Sequence, residues 1–237
     1  MKTFLSFVIT FLLFSSWFSF SQVIPNDEFF GNQWYLNMPG NDNTRADIRV
    51  LDAWARTMGN SNQKIADIEG DDDGDNGYPL STHPDLIGRI TLHGSSLPGE
   101  HSTAVSGLIV ANHNSIGIAG VNKFAHLHAY LFESGDNDDW ANKVRDARLD
   151  GNKIINISQG WPDPLPQVYT RLAEAYSNNI VTVVSVGNTT SSITYPAVYP
   201  CVIAVGSSTK DNTSSTWSNY GPQIEFLAPG GSNFEDI

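Results

Sequence analysis

Residues Ile180-Val181-Thr182-Val183-Val184-Ser185-Val186 are almost all β-branched. A run apolar at consecutive positions, not alternate ones, suits a strand covered on both faces. Similar runs recur at Lys64–Ile68, Phe124–Phe132, Lys153–Ser158 and Cys201–Val205. Helical patterns separate them. One starts near Ser102 and runs through Val105, Leu108 and Ile109. Another spans Asp138–Leu149 with Trp140, Val144 and Ala147 in phase, and a third spans Gln167–Ser177 with Val168, Leu172 and Ala175 in phase. Strand–helix–strand alternation with short connections predicts an α/β chain: a parallel β-sheet with helices on both faces. Ligands of such sheets bind beyond the C-terminal ends of the strands. The polar residues just past these runs, Glu69, Ser158 and Asn188, are therefore the first candidates for chemistry.

The first residues are expected to stand outside the fold. Lys2 precedes a nearly unbroken apolar run, Phe4–Phe20, and Ser19 and Ser21 are small residues suited to a cleavage site before Gln22. This reads as a secretory signal peptide over residues 1–21, against the alternative of a retained anchor, and implies an extracellular protein with no membrane span after cleavage. Removing Lys2 takes the formal net charge from −12 to about −13. A domain that acidic repels nucleic acid and anionic membranes and gathers cations. The single cysteine, Cys201, has no partner for an internal disulfide and opens an apolar run, so it reads as a buried thiol and not a nucleophile.

The segment Gly99-Glu100-His101-Ser102-Thr103-Ala104-Val105-Ser106-Gly107 places a histidine at the start of a helix of small residues. A histidine there, facing a cleft, can act as a general base. By itself the signal is weak, but it has ordered company. Pro25-Asn26-Asp27, Gln33-Trp34-Tyr35-Leu36, Asp52-Ala53-Trp54 and Ile65–Gly70 come first. His83-Pro84-Asp85-Leu86, His101-Ser102-Thr103, Asn156-Ile157-Ser158-Gln159-Gly160 and Val186-Gly187-Asn188 follow. Tyr195-Pro196-Ala197, Val202–Gly206, Ser218-Asn219-Tyr220-Gly221 and Ala228-Pro229-Gly230 complete the series. In this order the segments resemble the subtilisin-like serine peptidases, the subtilases, over about residues 25–230.

The resemblance implies a secreted endopeptidase that acts on proteins or peptides through an acyl-enzyme, with a Ser–His–acid triad. It implies His101 as the base, Asn188 as the side-chain donor to the oxyanion, and Ser158, Gln159 and Gly160 as the strand that pairs with substrate backbone. Trp161 stands where the family often has glycine and is expected to narrow the cleft. The acid departs from the pattern. Asp67 and Glu69 lie two apart, on one side of a strand and about 6.6 Å apart along it. Aligning Lys64-Ile65-Ala66 on the family strand puts Glu69 at the acid and leaves Asp67 as a costly charge inside the strand. Aligning on residue type makes Asp67 the acid. Glu69 is the reading favoured here.

The resemblance also implies structural calcium. Asn112, Ile116 and Ile118 would ligate through backbone carbonyls, Asn114 through its side chain and Asp85 through its carboxylate, with Gln33 as a further contributor. The acidic stretch Asp71, Asp72, Asp73 and Asp75 is a competing calcium loop or a solvated insertion. His93, His113, His126 and His128 lack the His-Glu-x-x-His spacing and read as structural. No serine stands in the Gly-Thr-Ser context of the family nucleophile, and Ile237 follows Pro229 closely. The expectation is a domain over 22–237, incomplete at its C-terminus and inactive as it stands. The rivals are a peptide-binding pseudoprotease and a calcium-dependent surface module.

Overall fold

The computed structural model describes residues 24–40, 45–70 and 77–232. The expected signal peptide and the Asp71–Asp75 stretch lie outside the described residues. The elements run α1 (Val50–Trp54), β1 (Lys64–Gly70), β2 (Ile90–Leu92), α2 (Glu100–Val110), β3 (His126–Phe132) and α3 (Asn137–Leu149), then β4 (Ile154–Ile157), α4 (Pro166–Ser177), β5 (Val181–Ser185), β6 (Ile203–Ser208) and β7 (Ile224–Pro229). The strands form one sheet in the order β2-β3-β1-β4-β5-β6-β7. Every pairing is parallel. Among the described residues no helix is long and apolar enough to cross a membrane.

The pleat of β1 decides the layers. Ala66 and Ile68 join the core that contains Trp140 and Val144 of α3 and Leu172 of α4. Ile65 joins a separate core with Val110 of α2, Leu127 and Leu86. Helices therefore cover both faces, as the consecutive apolar runs require. Asp67 and Glu69 share the parity of Ile65 and so face the α2 side.

Sequence and structure differ at the edges of the sheet. Cys201 and Val202 are buried, but ladder pairing starts at Ile203 and continues to Ser208. Gly206, Ser207 and Ser208 carry no apolar signal; their backbones pair with Leu227, Ala228 and Pro229 of β7. The outer strands β2 and β7 have no fully covered face, and β7 leaves Phe226 and Leu227 of its apolar stretch exposed.

Helix α3 is held at its start by Asp136, whose Oδ1 accepts from the amides of Asp138 and Asp139, both at 2.9 Å. These are two of the donors a helix N-terminus leaves unpaired. Asp136→Ala is expected to lower stability by about 1 kcal/mol in chemical denaturation, with Asp136→Ser recovering most of it.

Candidate active site and cation site

Two elements bring the first pair together. Glu69 lies near the C-terminal end of β1, and His101 is the second residue of α2. The start of α2 is tied down by its own hydroxyls. Ser102 Oγ donates to Gly77 O at 2.6 Å, and Thr103 Oγ1 donates to Gly99 O at 2.6 Å while accepting from the amide of Leu80 at 2.9 Å. The small residues of the His101 segment thus serve as anchors and as clearance. Ser106 and Gly107 are buried, and a β-carbon on Gly107 would sit 3.3 Å from Ile118.

His101 Nδ1 lies 3.4 Å from Glu69 Oε2, the histidine side chain 43% exposed and the glutamate 3%. That is longer than the roughly 2.7–2.9 Å of a tight charge-assisted hydrogen bond. The bond to Glu69 raises the His101 pKa above its ordinary value, outweighing the opposing effect of burial. With Nδ1 turned to the carboxylate, Nε2 is the nitrogen left for another group. Gln159 Nε2 lies 3.4 Å from the same glutamate oxygen, which links the expected substrate strand to the acid.

Asp67 sits deeper. It pairs in register with Asn156 of β4, whose amide donates to Asp67 Oδ1 at 2.8 Å. Burial, and then the neighbouring Glu69, push the Asp67 carboxyl well above its usual range against that donation. Asp67 is thereby held toward its neutral form beneath His101, beside the Glu69 carboxylate. The same Asn156 amide reaches Ser158 Oγ at 3.0 Å.

His101 opens onto a cleft of about 350 Å³ that also exposes Ser158, Gly187, Asn188, Gly206 and Gly230. Asn188 follows β5, where Gly187 takes φ +101°, a conformation side chains rarely adopt. A β-carbon on Gly187 would come within 2.4 Å of Asn219. The buried Asn219 holds this turn from below. Its Oδ1 accepts from the amides of Thr189 and Ser191 at 2.9 and 3.0 Å, and its Nδ2 donates to Val186 O at 3.1 Å. In the sequence Asn219 is legible only as part of a short segment, Ser218–Gly221; its positioning work appears once β5 and the turn before β7 are adjacent. Three serines of the cleft have hydroxyls engaged elsewhere. Ser158 Oγ accepts from Asn156, Ser207 Oγ bonds to Ser215 Oγ at 2.7 Å, and Ser218 Oγ donates to Asn219 O at 3.1 Å. Trp161 lies 45% exposed beyond Gly160, its amide donating to Tyr195 O at 2.7 Å. It lines a separate small cavity with Gln159, Gly160 and Phe132.

The residues expected to hold a cation also converge. Asp85 is buried; its Oδ2 accepts from the amide of Ile118 at 2.9 Å, and its Oδ1 has no partner. Asp27 is buried too, with Oδ1 accepting from the amide of Asn114 at 2.9 Å and Oδ2 unpartnered. Burial, and the charge of Asp27 among lesser causes, raise the Asp85 pKa against the Ile118 bond. Asn114 Oδ1 accepts from the amide of Ile116 at 3.0 Å. The carbonyls of Asn112, Ile116 and Ile118 receive no hydrogen bond from the described residues. Two orphaned buried carboxylate oxygens beside three free carbonyls are a hard-oxygen donor set, and that set fits calcium. Gln33 is buried and tied to the backbone that follows this loop. Its Oε1 accepts from Ala119 N at 2.7 Å and its Nε2 donates to Ala119 O at 3.0 Å. Asp27, eighty-seven positions before Asn114, is the N-terminal carboxylate that reaches this loop; Pro25-Asn26-Asp27 carries that signal in the sequence. Cys201 is free and buried, with its thiol pKa raised by burial.

Comparison with known proteins identifies the family and the fold. The profile of the subtilase family matches residues 91–236. That range holds His101 and Asn188 and starts after Glu69 and Asp85. Subtilisin BL of Lederbergia lenta is 34% identical over 164 residues, covering 64% of this chain and 60% of that protein. Subtilisin E of Bacillus subtilis (strain 168) is 34% identical over 190 residues, covering 73% of this chain and 48% of that protein. The chain thus spans between about half and three fifths of the length of these relatives. A protease structure from Pseudoalteromonas arctica superposes with a TM-score of 0.74 over 88% of this chain and 73% of that one, at 23% identity, a likeness of fold. With the family profile on more than half of the sequence and the parallel sheet beneath it, the chain belongs to the subtilase family.

Proposed function

We propose that this chain carries the base, the acid and the oxyanion side of a secreted subtilisin-like serine endopeptidase that hydrolyses peptide bonds through an acyl-enzyme. The observation that carries the reading is His101, its Nδ1 turned to the buried Glu69 and its ring at the mouth of the cleft that Asn188 shares. Glu69 orients the ring and stabilises the imidazolium; His101 Nε2 takes the proton of the attacking hydroxyl and returns it to the leaving amine. The Asn188 amide donates to the oxygen on which charge develops, and a donor of this kind contributes about 2.7–4 kcal/mol to the transition state. Ser158, Gln159 and Gly160 pair with extended substrate backbone. Calcium, held by Asp85, Asp27, Asn114 and the carbonyls of Asn112, Ile116 and Ile118, would supply structural cross-linking and no chemistry. Export follows from the reading of residues 1–21.

The hydroxyl nucleophile has no assigned residue in this sequence. The 237-residue chain is therefore expected not to cleave casein above a His101→Ala control. Cleavage that depends on His101 would show that a serine within this chain serves, and would overturn that part of the reading. In a form that carries the family Gly-Thr-Ser segment, kcat/KM is expected to rise with pH through a midpoint above the ordinary histidine value. The base works unprotonated, and Glu69 holds its proton on more tightly. A midpoint at or below 6.5 in the free enzyme would contradict the His101–Glu69 pairing.

A further inference from the structure

We propose that His93 and His128 form a binding site for a zinc-like transition-metal dication at the outer edge of the sheet, apart from the cleft. His93 directly follows β2, and its amide donates to Ala129 O at 2.9 Å, which fixes its place beside β3. His128 stands on β3 itself. The two rings face each other with His93 Nε2 and His128 Nδ1 at 2.8 Å. Imidazole nitrogens at that distance share one proton. Two tetrahedral zinc ligands with bonds of about 2.0–2.1 Å stand about 3.3 Å apart, so opening the gap by about 0.5 Å lets an ion take the proton's place.

The far side of His93 is built as a metal histidine requires. His93 Nδ1 lies 3.3 Å from Asp150 Oδ2. That oxygen accepts from the Tyr130 hydroxyl at 2.7 Å, and Asn152 Nδ2 donates to the Tyr130 oxygen at 3.1 Å. The Tyr130 ring stacks on His93 at 4.2 Å between centroids. Ligating histidines characteristically donate their second N–H to a carboxylate, which fixes the tautomer and makes the ligating nitrogen more basic. A proton on His93 Nδ1, facing the Asp150 carboxylate at 3.3 Å, would leave Nε2 as a lone pair aimed at His128. When the ion enters, His128 moves its proton from Nδ1 to Nε2, so both rings remain neutral and no net proton is released.

The surroundings keep the pair competent. Burial first, then His93, Lys64 and His126, against the weaker opposing pull of Asp150, lower the His128 pKa to about 4. Lys143 and Asp146 line the adjoining cavity of about 330 Å³ together with His93, Tyr130 and Asp150, so the cavity meets the pair on the His93 side. His126 is occupied by Thr91, Oγ1 to Nε2 at 2.7 Å. Among the described residues no three His, Cys, Asp or Glu side chains converge on one point. Water therefore completes the coordination. Imidazole nitrogens suit zinc, copper or nickel, and not calcium.

The test is calorimetric titration of the purified chain with zinc chloride at pH 7.5, with calcium in excess to fill oxygen sites. The expected result is one zinc per chain, abolished in His93→Gln and His128→Gln and weakened tenfold or more in Asp150→Asn, as loss of such a supporting carboxylate does. Circular dichroism checks that each variant is folded. If the buried His128→Gln fails to fold, the partly exposed His93→Gln decides alone. No stoichiometric zinc, or stoichiometric zinc retained in folded His93→Gln through His83, His113 or His126, would overturn the site.

Discussion

Glu69→Gln, made in a form of the protein that carries a nucleophilic serine, is expected to lower kcat by about 10⁴ with little change in KM. Replacing a triad carboxylate by its amide leaves the shape but offers the imidazole the wrong tautomer, a loss of about that size. Asp67→Asn is the discriminating partner. Asp67 has its carboxyl pushed well above the usual range by burial and then by Glu69, and it accepts the Asn156 amide at 2.8 Å. Its amide should therefore cost kcat tenfold at most. The outcome that sinks the assignment is the reverse order, with Asp67→Asn the more damaging. Glu69→Asp is informative about geometry. The Glu69–His101 contact is already long at 3.4 Å. Shortening the acid by a methylene should lengthen it further, and activity should fall unless β1 shifts toward α2. Asn219→Ala should act more gently, loosening the turn that presents Asn188 and lowering kcat more than it raises KM.

The second large effect concerns calcium. Chelation is expected to lower the melting temperature by many degrees, since a ligand at a thousandfold excess over its Kd contributes about 4 kcal/mol. Asp85→Ala and Asp27→Ala should each remove most of the calcium response, because each orphaned oxygen is then gone. A variant neutralising Asp71, Asp72, Asp73 and Asp75 should keep it. If only that loop variant loses the response, the acidic stretch is the calcium loop and the site between Asp27 and Asp85 is wrong. The pH dependence has a definite sign. Without the ion, the Asp85 pKa is raised in the folded state. Its favourable contribution is full below the unfolded value and is lost as pH rises through the folded one. The chelated protein should therefore be hurt least in mild acid, and the gap between calcium-bound and chelated melting curves should widen toward neutral pH.

Much of the fold is legible in the order of the residues alone. The consecutive β-branched runs require a sheet covered on both faces, because alternation would leave one face wet. Their order with the helical patterns implies parallel strands, and Ile65, Leu127 and Val184 are buried, whereas burial alternates along β5 and Val181 is exposed, so that strand is covered chiefly on one face. The spacing of Asp67 and Glu69 puts both on one face, since period two is a property of the extended chain itself. Small residues around His101 announce a close approach. What the chain cannot state by itself is which partner each group meets across space. The choice between Asp67 and Glu69 depends on where α2 begins relative to the end of β1, and the hydroxyls of Ser102 and Thr103 set that. Asp27 comes beside Asp85 because the N-terminal segment lies along the loop after α2, a contact between residues far apart in sequence. Four scattered histidines show no metal spacing. The parallel register of β2 on β3 brings His93 against His128, and the end of α3 brings Asp150 behind it. Local periodicity fixes which face a side chain takes; only the packing of one element on another fixes what it finds there.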